Sequence, residues 1–101
     1  MSGGAGDDTY YVNSSSDSVT ENGSQGTDLI YSSVSYTASN NVENLTLTGS
    51  SHINGTGNIL ANTITGNGGN NNLVGDDGND ILNGETEMTL CQGGLVMILI
   101  T

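Results

Sequence analysis

Gly57, Gly66, Gly75 and Gly84 recur at intervals of nine residues, and Asn62, Asn71 and Asp80 and the apolar Ile64, Leu73 and Leu82 keep the same beat. A fixed short period constrains a chain strongly. A nine-residue unit cannot bury its apolar residue alone, so successive units must stack into a solenoid in which each covers its neighbours. Each unit supplies one glycine-rich turn, one acidic or amide residue and one apolar residue. That combination points to calcium held between turns.

Charge agrees with a cation as partner. The 101 residues include no Lys or Arg and eleven acidic residues, for a net charge of −11. Such a chain repels a nucleic-acid backbone and an anionic membrane surface. With no Phe or Trp and only four Tyr, a large globular core is not expected. Richness in Gly, Asn, Ser and Thr ordinarily marks disorder, but the strict period argues against pure disorder and allows folding that depends on a ligand. The single cysteine, Cys91, excludes a disulfide framework and a zinc constellation. No basic and apolar leader opens the chain. The apolar run 95–100 is too short to span a bilayer.

Residues 3–11 read GGAGDDTYY, and from Gly57 the units run GNILANTIT, GNGGNNNLV and GDDGNDILN. Between them lie a strand-like SVTE at 18–21, a turn at 22–26, a β-branched and Tyr-rich stretch at 27–37, and NLTLT at 44–48 with Leu45 and Leu47 on one face. No helical period precedes residue 84. The absence of Pro suits an uninterrupted ladder.

The segments Gly3–Tyr11 and Gly75–Asn83 resemble the RTX, or haemolysin-type calcium-binding, nonapeptide, G-G-x-G-x-D-x-U-x with U apolar. The first matches every fixed position with Tyr10 as U; the second departs once, with Asp76 in place of Gly. Residues 9–57 are similar to the segments that separate RTX blocks in large bacterial secreted proteins. The resemblance implies an all-β fold, a right-handed parallel β-roll or β-solenoid, in which two nonapeptides make one coil. The first six residues of each would form a turn and the last three a strand, with calcium between turns of successive coils. It also implies a secreted, extracellular, non-catalytic module that is exported without a cleaved leader and folds on meeting calcium.

Calcium takes roughly six to eight oxygen ligands at flexible geometry, and a glycine-rich turn can aim several carbonyls at one point. Asp8 and Asp80, at the sixth place, are the first candidate ligands. Asp7, Asp77, Asp76, Asn71 and Asn62 and the backbone of Gly4, Gly6, Gly75 and Gly78 support them. Asn62 and Asn71 stand where the family has Asp. They bring no charge and can stack as hydrogen-bonded amides, so the coils of 57–74 are expected to stand without metal. Two other readings remain: a structural or adhesive solenoid independent of calcium, and an appendage of a secreted enzyme whose catalytic part lies elsewhere.

The expected organisation is a partial repeat at 1–11, a β-rich inter-repeat segment at 12–56, a repeat block at 57–84 and an aberrant tail at 85–101. The tail, ETEMTLCQGGLVMILIT, keeps the beat of nine in Gly84/Gly93, Met88/Met97 and Leu90/Leu99 but not the motif. Read one frame over, with synonymous codons allowed, it can encode GNGNDTLSGGAGDDTYY, whose last nine residues reproduce residues 3–11. The single Met codon forces an Asp codon before Thr89 and again before Ile98, each at the sixth place. A single-base deletion near Gly84 is therefore expected. The resulting apolar end is a candidate for end-to-end self-association of an uncapped solenoid, and the start one residue before a full repeat suits a fragment.

His52, the sole histidine, and Asp17, Glu21, Asp28 and Glu43 read as solvated surface residues. Pairs such as Asp7/Asp8 suggest a glycosidase only superficially, because no aromatic cup accompanies them. No G-x-S-x-G elbow is present.

Overall fold

The structure, a computed structural model, describes residues 6–14, 16–20, 26–39, 41–75, 79–84, 90–92 and 95–99, with the backbone course alone for 79, 90–92 and 95–99. Every regular element among them is a strand, and every pairing is parallel.

Ten short strands lie in two sheets; the first two share the larger one, and the remaining eight alternate between the sheets. One sheet orders β1 (Thr9–Val12), β2 (Leu29–Ser32), β4 (Asn44–Leu47), β6 (Thr63–Thr65), β8 (Asn79–Asn83) and β10 (Leu95–Leu99). The other orders β3 (Tyr36–Thr37), β5 (Gly55–Thr56), β7 (Asn72–Val74) and β9 (Leu90–Gln92). From β2 on the chain winds from one sheet to the other and back, so each strand pairs with its counterpart one coil away. This is the expected parallel β-solenoid.

In β4 and β6 apolar residues alternate with polar ones, as strands need because successive side chains point to opposite faces. The strands β6 and β7 occupy the last three places of the nonapeptide. The apolar eighth place turns inward, and Ile64, Leu73 and Leu82 are fully buried. Register carries one inward ladder along the larger sheet, from Tyr10 through Ile30, Leu45 and Ile64 to Leu82. Each fully buried Leu or Ile contributes about 1.5–3 kcal/mol relative to exposure. Opposite this ladder stands Gly55. A Cβ there would meet Leu45 Cδ2 at 3.2 Å and Ile64 Cγ2 at 3.3 Å, so the missing side chain lets the two sheets close on one another.

Coil length varies where the sequence beat is silent. Thr9 faces Leu29, twenty residues on, and Leu29 faces Asn44, only fifteen on. From there the spacing settles, with Thr63 opposite Ile81 and Gly55 opposite Leu73, each eighteen residues apart. The described residues of the SVTE segment, 18–20, do not form a strand: Thr20 makes an isolated bridge while Val19 fills the core. In the tail, β9 keeps the eighteen-residue spacing to β7, but β10 pairs with β8 at sixteen, placing Leu95 opposite Asn79. The beat of nine would bring Met97 there. A two-residue slip keeps the strand's inside–outside phase, which a one-residue slip would invert.

On the outer face of the larger sheet Tyr11 and Tyr31 stack with ring centroids 5.2 Å apart and planes 16° from parallel.

Candidate metal centre

Parallel register places the residue just before each strand of the larger sheet in one column: Asp8, Asp28, Glu43 and Asn62, with Asp80 opposite Asn62 inside β8. The column runs along the edge where turns enter the sheet. Its carboxylates act alike. Asp28 Oδ1 accepts the Asp8 N–H at 2.9 Å, Glu43 Oε1 accepts the Asp28 N–H at 2.8 Å, and Asp80 Oδ1 accepts the Asn62 N–H at 2.6 Å. Each acid thus holds the backbone of the preceding coil.

Asp28 and Glu43 therefore depart from the expectation that both are solvated. Asp28 is 1 % exposed and Glu43 is half-buried. The sequence carries a signal for the first: residues 23–31, GSQGTDLIY, are a degenerate nonapeptide with Asp28 at the sixth place and Ile30 at the apolar eighth. The twenty- and fifteen-residue coils around it hide it from a search at a period of nine or eighteen.

Amides in the central coils behave differently. Asn62 Oδ1 accepts the Asn58 N–H within its own turn, and Asn62 Nδ2 donates to Val42 O at 3.0 Å and Glu43 O at 3.2 Å. Asn58 Nδ2 donates to Ser39 O and Val42 O. One half-coil on, Asn71 Oδ1 accepts the Asn67 N–H, while Asn71 Nδ2 donates to Ile53 O and Asn67 Oδ1, and Asn67 Nδ2 donates to Thr48 O and Ser51 O. All four amides are buried. Both polar ends of Asn62 and of Asn71 are thus engaged by the protein, and the partners are mainly carbonyls of the neighbouring coil rather than a ladder of like amides. Asn58 and Asn67, at the second place of their units, were absent from the sequence reading.

A carboxylate has no N–H to offer. At the first coil pair Asp8 Oδ2 and Asp28 Oδ2 are both buried, and neither accepts a hydrogen bond among the described residues. The chain has no Lys or Arg to neutralise them. Buried, uncompensated carboxylate oxygens cost several kcal/mol, so such a site calls for a cation. The surrounding turn is tight. Gly6 and Gly26 adopt φ of +96° and +88°, and a Cβ on Gly26 would lie 2.4 Å from Gly6 O and 2.7 Å from Asp7 Oδ1. Asp7 itself is exposed and accepts the Thr27 N–H at 2.8 Å, tying the two turns together. Hard oxygen donors of this kind fit calcium. No three His, Cys, Asp or Glu side chains converge on one point among the described residues, so most of the coordination would have to come from backbone carbonyls.

At the other end Asp80 lies over Gly75, where a Cβ would meet Asp80 Oδ2 at 2.5 Å. Its column neighbours are Asn62 and, through β10, Val96. Gly4, Asp76, Asp77 and Gly78 lie outside the described residues. His52 is exposed and its Nδ1 accepts the Asn70 N–H at 2.8 Å. A shallow hollow on the smaller sheet, lined by Ser35, Tyr36, Thr37, Asn54 and Thr56, contains no carboxylate.

The family model of the RTX calcium-binding nonapeptide repeat, in four copies, matches residues 1–19 and 56–86. The chain carries RTX repeats. The structure gives them the parallel coils that the RTX motif implies. A curated relative, an endo-1,3-1,4-beta-glycanase of Rhizobium meliloti (strain 1021), is 45 % identical over 69 residues, which is 68 % of this chain and 15 % of that protein. The chain therefore aligns with only a small part of that relative, and what is detected here is the repeat module. No solved structure matches. Asp28 and Glu43 both lie outside the residues the RTX model matches.

Proposed function

We propose that this RTX module binds calcium ions and that binding orders its acidic coils, as a non-catalytic part of a secreted bacterial protein. The observation that carries this reading is the pair of buried carboxylate oxygens on Asp8 and Asp28, without a hydrogen-bond donor among the described residues, in a chain without Lys or Arg. Asp8 and Asp80, at the sixth place of their repeats, are the proposed repeat ligands. Asp7, Asp76, Asp77 and the carbonyls of Gly4, Gly6, Gly75 and Gly78 assist them. Without calcium the carboxylates repel and the turns that carry them open. Calcium neutralises them, and its binding free energy becomes folding free energy. The glycanase relative supports a role as appendage to a secreted enzyme, with catalysis housed outside this module.

The amide-closed central coils favour a second reading, a structural solenoid that needs no metal. Far-UV circular dichroism during a calcium titration from chelator to about 10 mM separates the two, since weak extracellular sites lie near 10⁻⁴–10⁻³ M. A gain of β signal with calcium and not with magnesium supports the calcium module. Full β signal in chelator, unchanged by calcium, supports the structural one.

A further inference from the structure

We infer that the principal calcium site of this chain is built across its first two coils by Asp8 and Asp28, joining a repeat residue to one outside the recognised repeats, while amides lock the central coils without metal. This rests on the calcium reading above and says where that function resides.

Three observations converge on the first coil pair. Asp28 is buried as completely as the apolar core, yet its Oδ2 has no donor among the described residues, and the same holds for Asp8 Oδ2. Asp28 Oδ1 already accepts the Asp8 N–H, which fixes the two carboxylate-bearing segments one above the other. The two glycines beside them, both at left-handed φ, bring the Gly6 carbonyl so close to Gly26 that no side chain fits between. Backbone and carboxylate oxygens therefore gather at this turn.

The repeat-rich middle is the opposite case. There Asn58, Asn62, Asn67 and Asn71 point N–H groups at carbonyls of the neighbouring coil. An amide N–H meets a carbonyl as a cation would, through a positive end, but it is covalently attached and always present. Motif density and metal competence are thus separated in this chain. The best-aligned stack of repeats is closed by its own side chains, and the poorly matching residues 26–28 complete the cation site.

Tyrosine position makes the site observable. Tyr10, Tyr11 and Tyr31 lie two or three residues along β1 and β2 from Asp8 and Asp28. Terbium(III), an oxygen-seeking substitute for calcium, is sensitised by nearby tyrosine. Titrating the full chain with terbium under tyrosine excitation, and with calcium by calorimetry, tests the assignment. The wild-type chain is expected to give sensitised emission that calcium displaces. Asp28→Asn, which keeps the Oδ1 acceptor and loses the charge, is expected to weaken calcium binding by about tenfold or more and to abolish the emission. Asp8→Asn should do the same. Asp17→Asn removes an equal charge from a loop, where Asp17 Oδ2 accepts the Asn13 and Ser14 N–H groups, and is expected to change neither readout. Matching dichroism in chelator between Asp28→Asn and wild type excludes misfolding as the cause of loss. Calcium binding by wild type that survives in both Asp28→Asn and Asp8→Asn would overturn this assignment and leave the calcium reading standing. A wild-type chain that binds neither ion would overturn both.

Discussion

At the scale of single residues, the difference between Asn and Asp decides what each turn needs. Both can present Oδ1 to a backbone N–H, and only Asn adds a donor. Asn62→Asp removes the N–H groups that reach Val42 O and Glu43 O and inserts a carboxylate into the column between Glu43 and Asp80. In chelator this is expected to destabilise the fold by about 2–3 kcal/mol, through buried carbonyls left unpaired and like charges brought together. Urea denaturation with and without calcium checks it, and calcium should restore part of the loss. Gly26→Ala combines a left-handed φ with a Cβ driven into the Gly6 carbonyl. It is expected to cost about 2 kcal/mol or more, confined to the first two coils. Amide exchange at Thr27 and Leu29 should accelerate, while exchange at Thr63 stays slow. A solvated Asp28 was a reasonable expectation from sequence, since acids are rarely buried without a partner. Its burial follows from stacking on a coil twenty residues earlier, an interval outside the beat of nine that masks the degenerate nonapeptide around it.

Among elements, legibility tracked the regularity of the beat. The strands β6 and β7 fall on the last three places of their nonapeptides because the apolar eighth residue fixes which way each strand faces. The NLTL strand was readable from alternation alone. The 18–21 segment was not: of its described residues, only Val19 reaches the core and Thr20 makes an isolated bridge, beside Asp17 O, which accepts from Tyr36 Oη. Leu73 is the inward residue of β7, opposite Gly55 on one side and Cys91 on the other. Gly55 contributes no side chain, so Leu73 is the fully buried apolar residue that the smaller sheet offers among the described residues, with Tyr36 of β3 packed partly buried against the core. Leu73→Ala is expected to cost about 2–5 kcal/mol, seen as a lower thermal midpoint by circular dichroism. Ile59→Ala, at a residue 71 % exposed in a turn, is expected to shift that midpoint little.

For the whole molecule, a net charge of −11 with no Lys or Arg makes compaction a matter of solvent ions as well as contacts. In chelator at low ionic strength the acidic ends of the column should be expanded. Sodium chloride at about 0.1 M shortens the reach of repulsion to about 10 Å and should contract the chain partway. Calcium at millimolar concentration should contract it further. Small-angle scattering under the three conditions measures this order, and equal dimensions in all three would contradict it. A parallel solenoid was legible at this scale because a repeat period dictates nearest-neighbour stacking. The uneven coil lengths were not, since turns absorb extra residues without disturbing the strands.

The spacing between paired strands has a kinetic consequence. Every strand meets its partner fifteen to twenty residues away, whether near the start or the end of the chain. The entropy lost in closing each loop is therefore nearly constant, and it does not rise as more coils are added. Folding can begin wherever two adjacent coils first hold and spread outward one coil at a time. The amide-closed turns between residues 39 and 71 need no ion to hold, so they are the natural starting point. A chain threaded through a narrow opening could build its solenoid as it emerged, with no need to wait for its far end.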